Sequence, residues 1–175
     1  MIVVGFSALA NNGKTTLITK LCNILISNFN VAVIKHDPKN KAVIDYDGKD
    51  SAKFYNTGAD IALISPSQTT IRYHEELSIN QAIDILNKDK KCDYIFIEGF
   101  KDINMLRIYT IVDKMDLNLM SKADAIAVKK NSLNLLSAYN NVINSDIIDL
   151  DNTKEILDWI NENGSNKNWN NNSIR

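Results

Sequence analysis

Asn11, Asn12, Gly13, Lys14, Thr15 and Thr16 follow one another in a set of residue types suited to holding phosphate. They lie directly after an apolar run, residues 1–7, and directly before an amphipathic one, the strand–loop–helix setting a Walker A loop requires. The first amides of a helix lack internal partners and the helix dipole adds partial positive charge, so phosphate oxygens satisfy both. Gly13 lets the backbone approach phosphate with no Cβ in the way. Lys14 is placed to bridge the β- and γ-phosphates, and the Thr15 hydroxyl to ligate Mg²⁺. The full pattern asks for glycine five residues before Gly13, where Ala8 stands. Either Ala8 takes that role as the smallest replacement, or the loop carries an insertion over residues 8–10. A chance GKTT at a helix start is the competing explanation, and the flanking strand and helix weigh against it.

A second chemical group lies at the end of residues 93–98, where an apolar run closes on Glu98 and then Gly99. In a phosphate-loop protein an acid at the carboxyl end of a neighbouring strand holds Mg²⁺. Glu98 is therefore the expected metal partner of Thr15, with Gly99 turning the chain away. Lys35 and His36 close another strand, and Asp50 follows the polar stretch from His36. Both segments are expected at the carboxyl edge of the sheet, where open α/β folds bind ligands. There Asp50 would position water or metal, and His36 or Lys35 would touch phosphate or a partner. A helix N-cap for Asp50 and a solvated strand end for His36 are equally good readings. His74, beside Glu75 and Glu76, reads as surface decoration. No Asn-Lys-x-Asp sequence is present to read guanine. The nearest substitute, Lys129-Lys130-Asn131 after the strand 125–128, leaves the base unread.

The elements that must position these groups alternate. Strands are predicted at 1–7, 31–34, 61–64, 70–73, 94–97, 106–112 and 125–128, and helices at 13–26 and 50–56. Ser78 with Gln81 and Asn152 with Glu155 are capping-box patterns opening two more helices. The expectation is an α/β, P-loop NTPase-like three-layer fold: a mostly parallel sheet with helices on both faces. The close spacing of candidates between 61 and 73 suggests that part of the sheet is antiparallel. Residues 1–163 read as one nucleotide-binding domain and 164–175, polar and asparagine-rich, as a disordered tail.

Composition excludes several classes. The chain has 175 residues, 45% hydrophobic and 23% charged, with a formal net charge of −1. No bulk field recruits nucleic acid or an anionic membrane, so an anionic ligand must be caught by local geometry. Cys22 and Cys92 form no CxxC pair and read as small core residues. The first apolar stretch is too short for a signal peptide or membrane span, which makes the cytoplasm the expected location.

The segments GKTTLI, VIKHD, GKDSAKFYNTGAD and YIFIEGFK, in that order, resemble the molybdopterin-guanine dinucleotide biosynthesis adapter proteins, the MobB family. The resemblance runs from the first strand to Lys101 and thins beyond Val128. It implies GTP binding with Mg²⁺, feeble hydrolysis, a homodimer, and assistance to a MobA-type guanylyltransferase that joins GMP to the molybdopterin cofactor. By position it implies phosphate contacts from Asn12, Gly13, Lys14, Thr15 and Thr16, and Mg²⁺ near Thr15 and Glu98. It also turns the segments holding His36 and Asp50 toward the nucleotide or the pterin phosphate. A small nucleoside or nucleotide kinase is a second possibility, disfavoured because the chain has only Arg72, Arg107 and Arg175 for clamping phosphates. A metallochaperone-type GTPase for nickel enzymes is a third, disfavoured by two histidines and two unpaired cysteines. Hydrolysis, with so few arginines, is expected to be slow; no residue is assigned a catalytic role.

Overall fold

Short runs of β-branched and aromatic residues build the sheet, and the amphipathic stretches between them cover it. The computed structural model describes residues 1–46, 48–139, 143–165 and 169. In chain order the elements are β1 (Ile2–Ser7), α1 (Lys14–Leu25), β2 (Val31–Lys35), α2 (Asp50–Tyr55), β3 (Ile61–Ile64), β4 (Thr69–Arg72) and α3 (Ile79–Lys88). There follow β5 (Tyr94–Glu98), β6 (Arg107–Ile111), α4 (Leu117–Met120), β7 (Ala125–Val128), two 3-10 turns, β8 (Asp146–Asp149) and α5 (Thr153–Gly164). The chain forms two units, Met1–His36 with Ile83–Arg175, and Asp37–Ala82.

The first unit carries a sheet in the order β2-β5-β1-β6-β7-β8, with every pairing parallel. Successive side chains of a strand point to opposite faces, and the core divides accordingly. Val4, Phe6, Phe96, Ile108, Ala127 and Ile148 meet Leu17 and Leu21 of α1 and Ile156 and Ile160 of α5. Tyr109, Ile111, Ile126 and Val128 face the other way, onto Leu119 and Met120 of α4 and onto Leu136. Both faces are covered, as a parallel sheet demands. The α/β three-layer expectation holds.

β1 lies between β5 and β6, and the chain leaves it in one direction for β2 and later crosses to the other side for β6. That reversal opens a crevice at the carboxyl ends of β1 and β5, where ligands bind in such sheets. The loops after Ser7 and after Glu98 both start there.

Two local expectations need correction, and one strand was not anticipated. The antiparallel strands β3 and β4 are not part of the main sheet but form a two-stranded sheet of their own in the second unit. β8 had no sequence signal strong enough to name it: Asp-Ile-Ile-Asp is short, flanked by charge, and takes an edge position. Residue 164 belongs to the folded chain, because Gly164 is the buried last residue of α5. Of the expected tail, residues 166–168 and 170–175 lie outside the described residues. Among the described residues no helix is long and apolar enough to cross a membrane.

The Ser78 capping box forms, and Asn152 caps α5 without the reciprocal backbone bond, its own N–H going to Asp149 O at 3.0 Å. The Ser78 hydroxyl accepts from Gln81 N–H at 3.3 Å while the Gln81 amide oxygen accepts from Ser78 N–H at 2.9 Å. The Asn152 side-chain oxygen accepts from Glu155 N–H at 3.3 Å, and its amide donates to the Glu155 carboxylate at 3.0 Å. Because α5 packs on β1 and β8, this cap anchors one side of the crevice. Asn152→Ala is expected to cost about 1 kcal/mol, measured as a shift in urea midpoint. The loss should shrink in a Glu155→Ala background, because the two side chains share one bond.

Candidate functional site

The segment after β1 does not continue as strand because Ala8 packs into the core beneath the sheet edge, 2% exposed. Asn11 then adopts a left-handed conformation, φ 61°, and Gly13 a second one, φ 81°. Gly13 is the N-cap of α1 and makes no side-chain cap, so the opening amides of the helix have nothing from the cap residue to satisfy them. A Cβ on Gly13 would sit 3.3 Å from Val112 and 3.4 Å from Leu150, besides straining the backbone. Glycine is required here for space and for φ together.

Lys14 curls back over the loop and donates to Leu9 O at 3.0 Å and Ala8 O at 3.4 Å. Burial lowers its pKa, Glu98 pulls the other way, and Lys101 and Lys35 add to the lowering. An ammonium destabilised in this way gains most from a polyanion. The Thr15 hydroxyl lies 3.1 and 3.2 Å from the two Glu98 carboxylate oxygens, which places the expected metal pair in contact. Lys35, one strand over, puts its ammonium 3.0 Å from the same carboxylate. A hydroxyl and one carboxylate are hard oxygen donors of the kind Mg²⁺ takes when phosphates and water complete its shell. Among the described residues there is no group of three or more His, Cys, Asp and Glu side chains arranged as a metal cage.

A cleft of about 560 Å³ runs over this surface, lined at one end by Asn11, Asn12, Gly13, Lys14, Thr15, Thr16 and Glu98. The expected phosphate residues and the expected metal residues thus come together. His36 does not line it. Its ring stacks on Phe100 at 4.2 Å, and its Cβ leaves no room for a side chain on Gly99. Asp50 belongs to the second unit, where it is the first residue of α2 rather than its N-cap and pairs with Lys53 at 2.9 Å.

Asn12 needs a correction of role. Its side chain is fully buried and turned away from the loop's open side. The amide oxygen accepts from Val112 N–H at 2.9 Å and Asp113 N–H at 3.3 Å, and the amide nitrogen donates to Lys114 O at 3.0 Å. Thr110, itself buried, donates its hydroxyl to Asn12 O at 2.6 Å. Asn12 therefore ties the phosphate loop to the segment after β6, and only its backbone is left for a ligand.

Arg107, considered in the sequence only as an arginine that could reach phosphate, has a different role. It is 1% exposed at the start of the apolar strand β6 and donates to Phe100 O at 2.8 Å, Ile103 O at 2.7 Å and Gly99 O at 3.3 Å. An arginine inside Arg-Ile-Tyr-Thr-Ile was the available signal, since a buried guanidinium must find acceptors. Its pKa is lowered by burial and held up by Asp124 and Asp102. Arg72 is engaged within the second unit, 3.6 Å above the Tyr55 ring and 3.7 Å from Asp45. His74 is more than decoration: its ring stacks on Tyr55 at 3.9 Å and contacts Tyr55 O at 2.9 Å.

Residues 3–131 match the profile of a family described as molybdopterin guanine dinucleotide synthesis protein B, MobB. The chain is 28% identical over 139 residues to a putative molybdopterin-guanine dinucleotide biosynthesis adapter protein of Methanocaldococcus jannaschii. That match takes in 77% of this chain and 58% of the relative, so the chain spans less than two thirds of the relative's length. Among solved structures it is similar to Bacillus subtilis MobB, with a TM-score of 0.71 and 18% identity over 90% of this chain and 97% of that one. It is also similar to a MobB homologue from Bacillus stearothermophilus, with a TM-score of 0.67 and 14% identity over 95% and 99%. At those identities the likeness establishes the fold.

Removing the Asn12 side chain leaves two part-buried N–H groups, of Val112 and Asp113, and the Lys114 carbonyl without this partner. Asn12→Ala is expected to lower stability by about 2–4 kcal/mol, read from chemical denaturation, and to raise amide exchange over residues 112–114.

Proposed function

The chain belongs to the MobB family, and from that premise we propose that it is a GTP-binding adapter in molybdopterin guanine dinucleotide biosynthesis. The β- and γ-phosphates of GTP would lie on the amides from Asn11 to Thr16, with Lys14 swinging off the loop carbonyls onto them. Mg²⁺ would be held by Thr15 and Glu98, bridging to the phosphates. The single observation that carries this proposal is the Thr15–Glu98 contact beside a helix opened by Gly13 at φ 81°.

Bound GTP would turn over slowly. Rapid phosphoryl transfer to water calls for an arginine or a water-orienting group at the γ-phosphate. Arg107 is committed to three loop carbonyls, and Arg72 to Tyr55 and Asp45. A protein that holds GTP without consuming it suits an adapter serving a pathway enzyme, here proposed to be a MobA-type guanylyltransferase acting on the molybdopterin cofactor. The proposal extends to a homodimer, supported by Ile64 and Ile71, which share one face of the β3–β4 ribbon and are 77% and 50% exposed.

Calorimetric titration with GTP tests the site. Lys14→Ala is expected to weaken binding roughly 100-fold while circular dichroism stays unchanged; undiminished affinity in a folded variant would place the phosphates elsewhere. Glu98→Gln is expected to remove the gain in affinity that Mg²⁺ confers and to leave metal-free binding intact. Equal losses with and without Mg²⁺ would count against the metal role.

A further inference from the structure

The cleft continues past the phosphate loop. Besides the loop and Glu98 it is lined by Leu17 and Lys20 of α1, Val112 after β6, Lys129 after β7, and Leu150 and Asp151 after β8. Leu150 and Val112 are the two side chains that crowd Gly13, so this wall begins where the loop ends. The backbone there is fixed: Leu150 N–H donates to Val128 O at 3.0 Å, and Asp151 N–H to Asp149 Oδ1 at 3.0 Å. Lys130, the neighbouring lysine, turns to Asp149 at 3.2 Å, whereas Lys129 lines the cleft.

With its phosphates on the loop amides, a nucleotide would turn its base toward the residues that follow β6, β7 and β8: two apolar side chains, a lysine stem and a carboxylate. The carboxylate decides which base. Ionised, it only accepts hydrogen bonds. Guanine offers two donors side by side, the N1–H and the exocyclic amine, which match two carboxylate oxygens. Adenine offers one donor next to a ring-nitrogen acceptor, and that lone pair faces a carboxylate unfavourably.

We propose that Asp151 is the base-specificity residue of this chain, accepting the N1–H and the amine of guanine while the aliphatic stem of Lys129 covers the ring. The assignment rests on the nucleotide-binding function proposed above and adds to it the group that selects guanine, which no Asn-Lys-x-Asp sequence supplies.

Xanthine supplies the test, because it carries a carbonyl where guanine carries the amine. An amide can donate to that carbonyl, and a carboxylate cannot. Affinities of GTP, ATP, XTP and inorganic tripolyphosphate are measured in Mg²⁺ for the wild type and Asp151→Asn, with thermal denaturation as a check on folding. The wild type is expected to favour GTP over ATP and XTP. In Asp151→Asn, GTP binding should fall and XTP binding rise, each by roughly 10- to 100-fold, with tripolyphosphate unchanged. GTP preference retained in a folded Asp151→Asn protein would overturn the assignment, as would base-indifferent binding by the wild type. If the wild type bound neither nucleotides nor tripolyphosphate, the nucleotide-binding function itself would fall, and the assignment with it.

Discussion

The geometry of the whole crevice depends on one buried amide. Asn12 spends both ends of its side chain on the backbone of residues 112–114 and receives the Thr110 hydroxyl on its own carbonyl. A chain passing through two left-handed residues, Asn11 and Gly13, has little in its own sequence to hold it in shape. The clamp provides that from below, and leaves the helix-opening amides facing outward. A loop held in this way loses little further conformational freedom when a ligand arrives, which is the physical basis of preorganisation.

The same logic is repeated on the other side of β1. There Arg107 reaches from the sheet interior to three carbonyls of the turn that follows Glu98. Phe100 in that turn takes φ 46°, a costly conformation for an aromatic residue, and stacks on His36. Two buried polar side chains, one amide and one guanidinium, therefore brace the two loops between which any phosphate–metal unit would lie. Each is surrounded by partners, so each adds specificity of shape rather than an unpaired burial cost.

Much of the frame was legible in the sequence because its signals are local. Apolar runs such as Tyr-Ile-Phe-Ile ending on Glu98 announce a buried strand and an acid at its carboxyl end together, and GKTT announces a helix start. Helix caps at Ser78 and Asn152 were equally readable, since donor and acceptor are three residues apart. The unread parts are those whose meaning depends on distant partners. Asn12 looks like a ligand contact until residues 112–114 are placed beneath it, 100 positions away in the case of Val112. β8 is a strand only because β7 offers it an edge, and Asp151 enters the cleft only through that pairing. Whether two adjacent strands join a larger sheet or stand alone, as β3 and β4 do, is likewise decided by tertiary contacts that no local pattern encodes.

The ion pair between Lys35 and Glu98 changes what it means for a metal to arrive. The carboxylate already has a tethered monovalent companion, so divalent occupancy would be an exchange and not a simple addition. The lysine side of that pair is 60% exposed, and a contact so open to water holds on weakly, so eviction is cheap. What is evicted cannot diffuse away. The ammonium would stay on the end of β2 as a positive arm at the mouth of the crevice, so that an event at one oxygen pair would alter the charge of the surrounding surface.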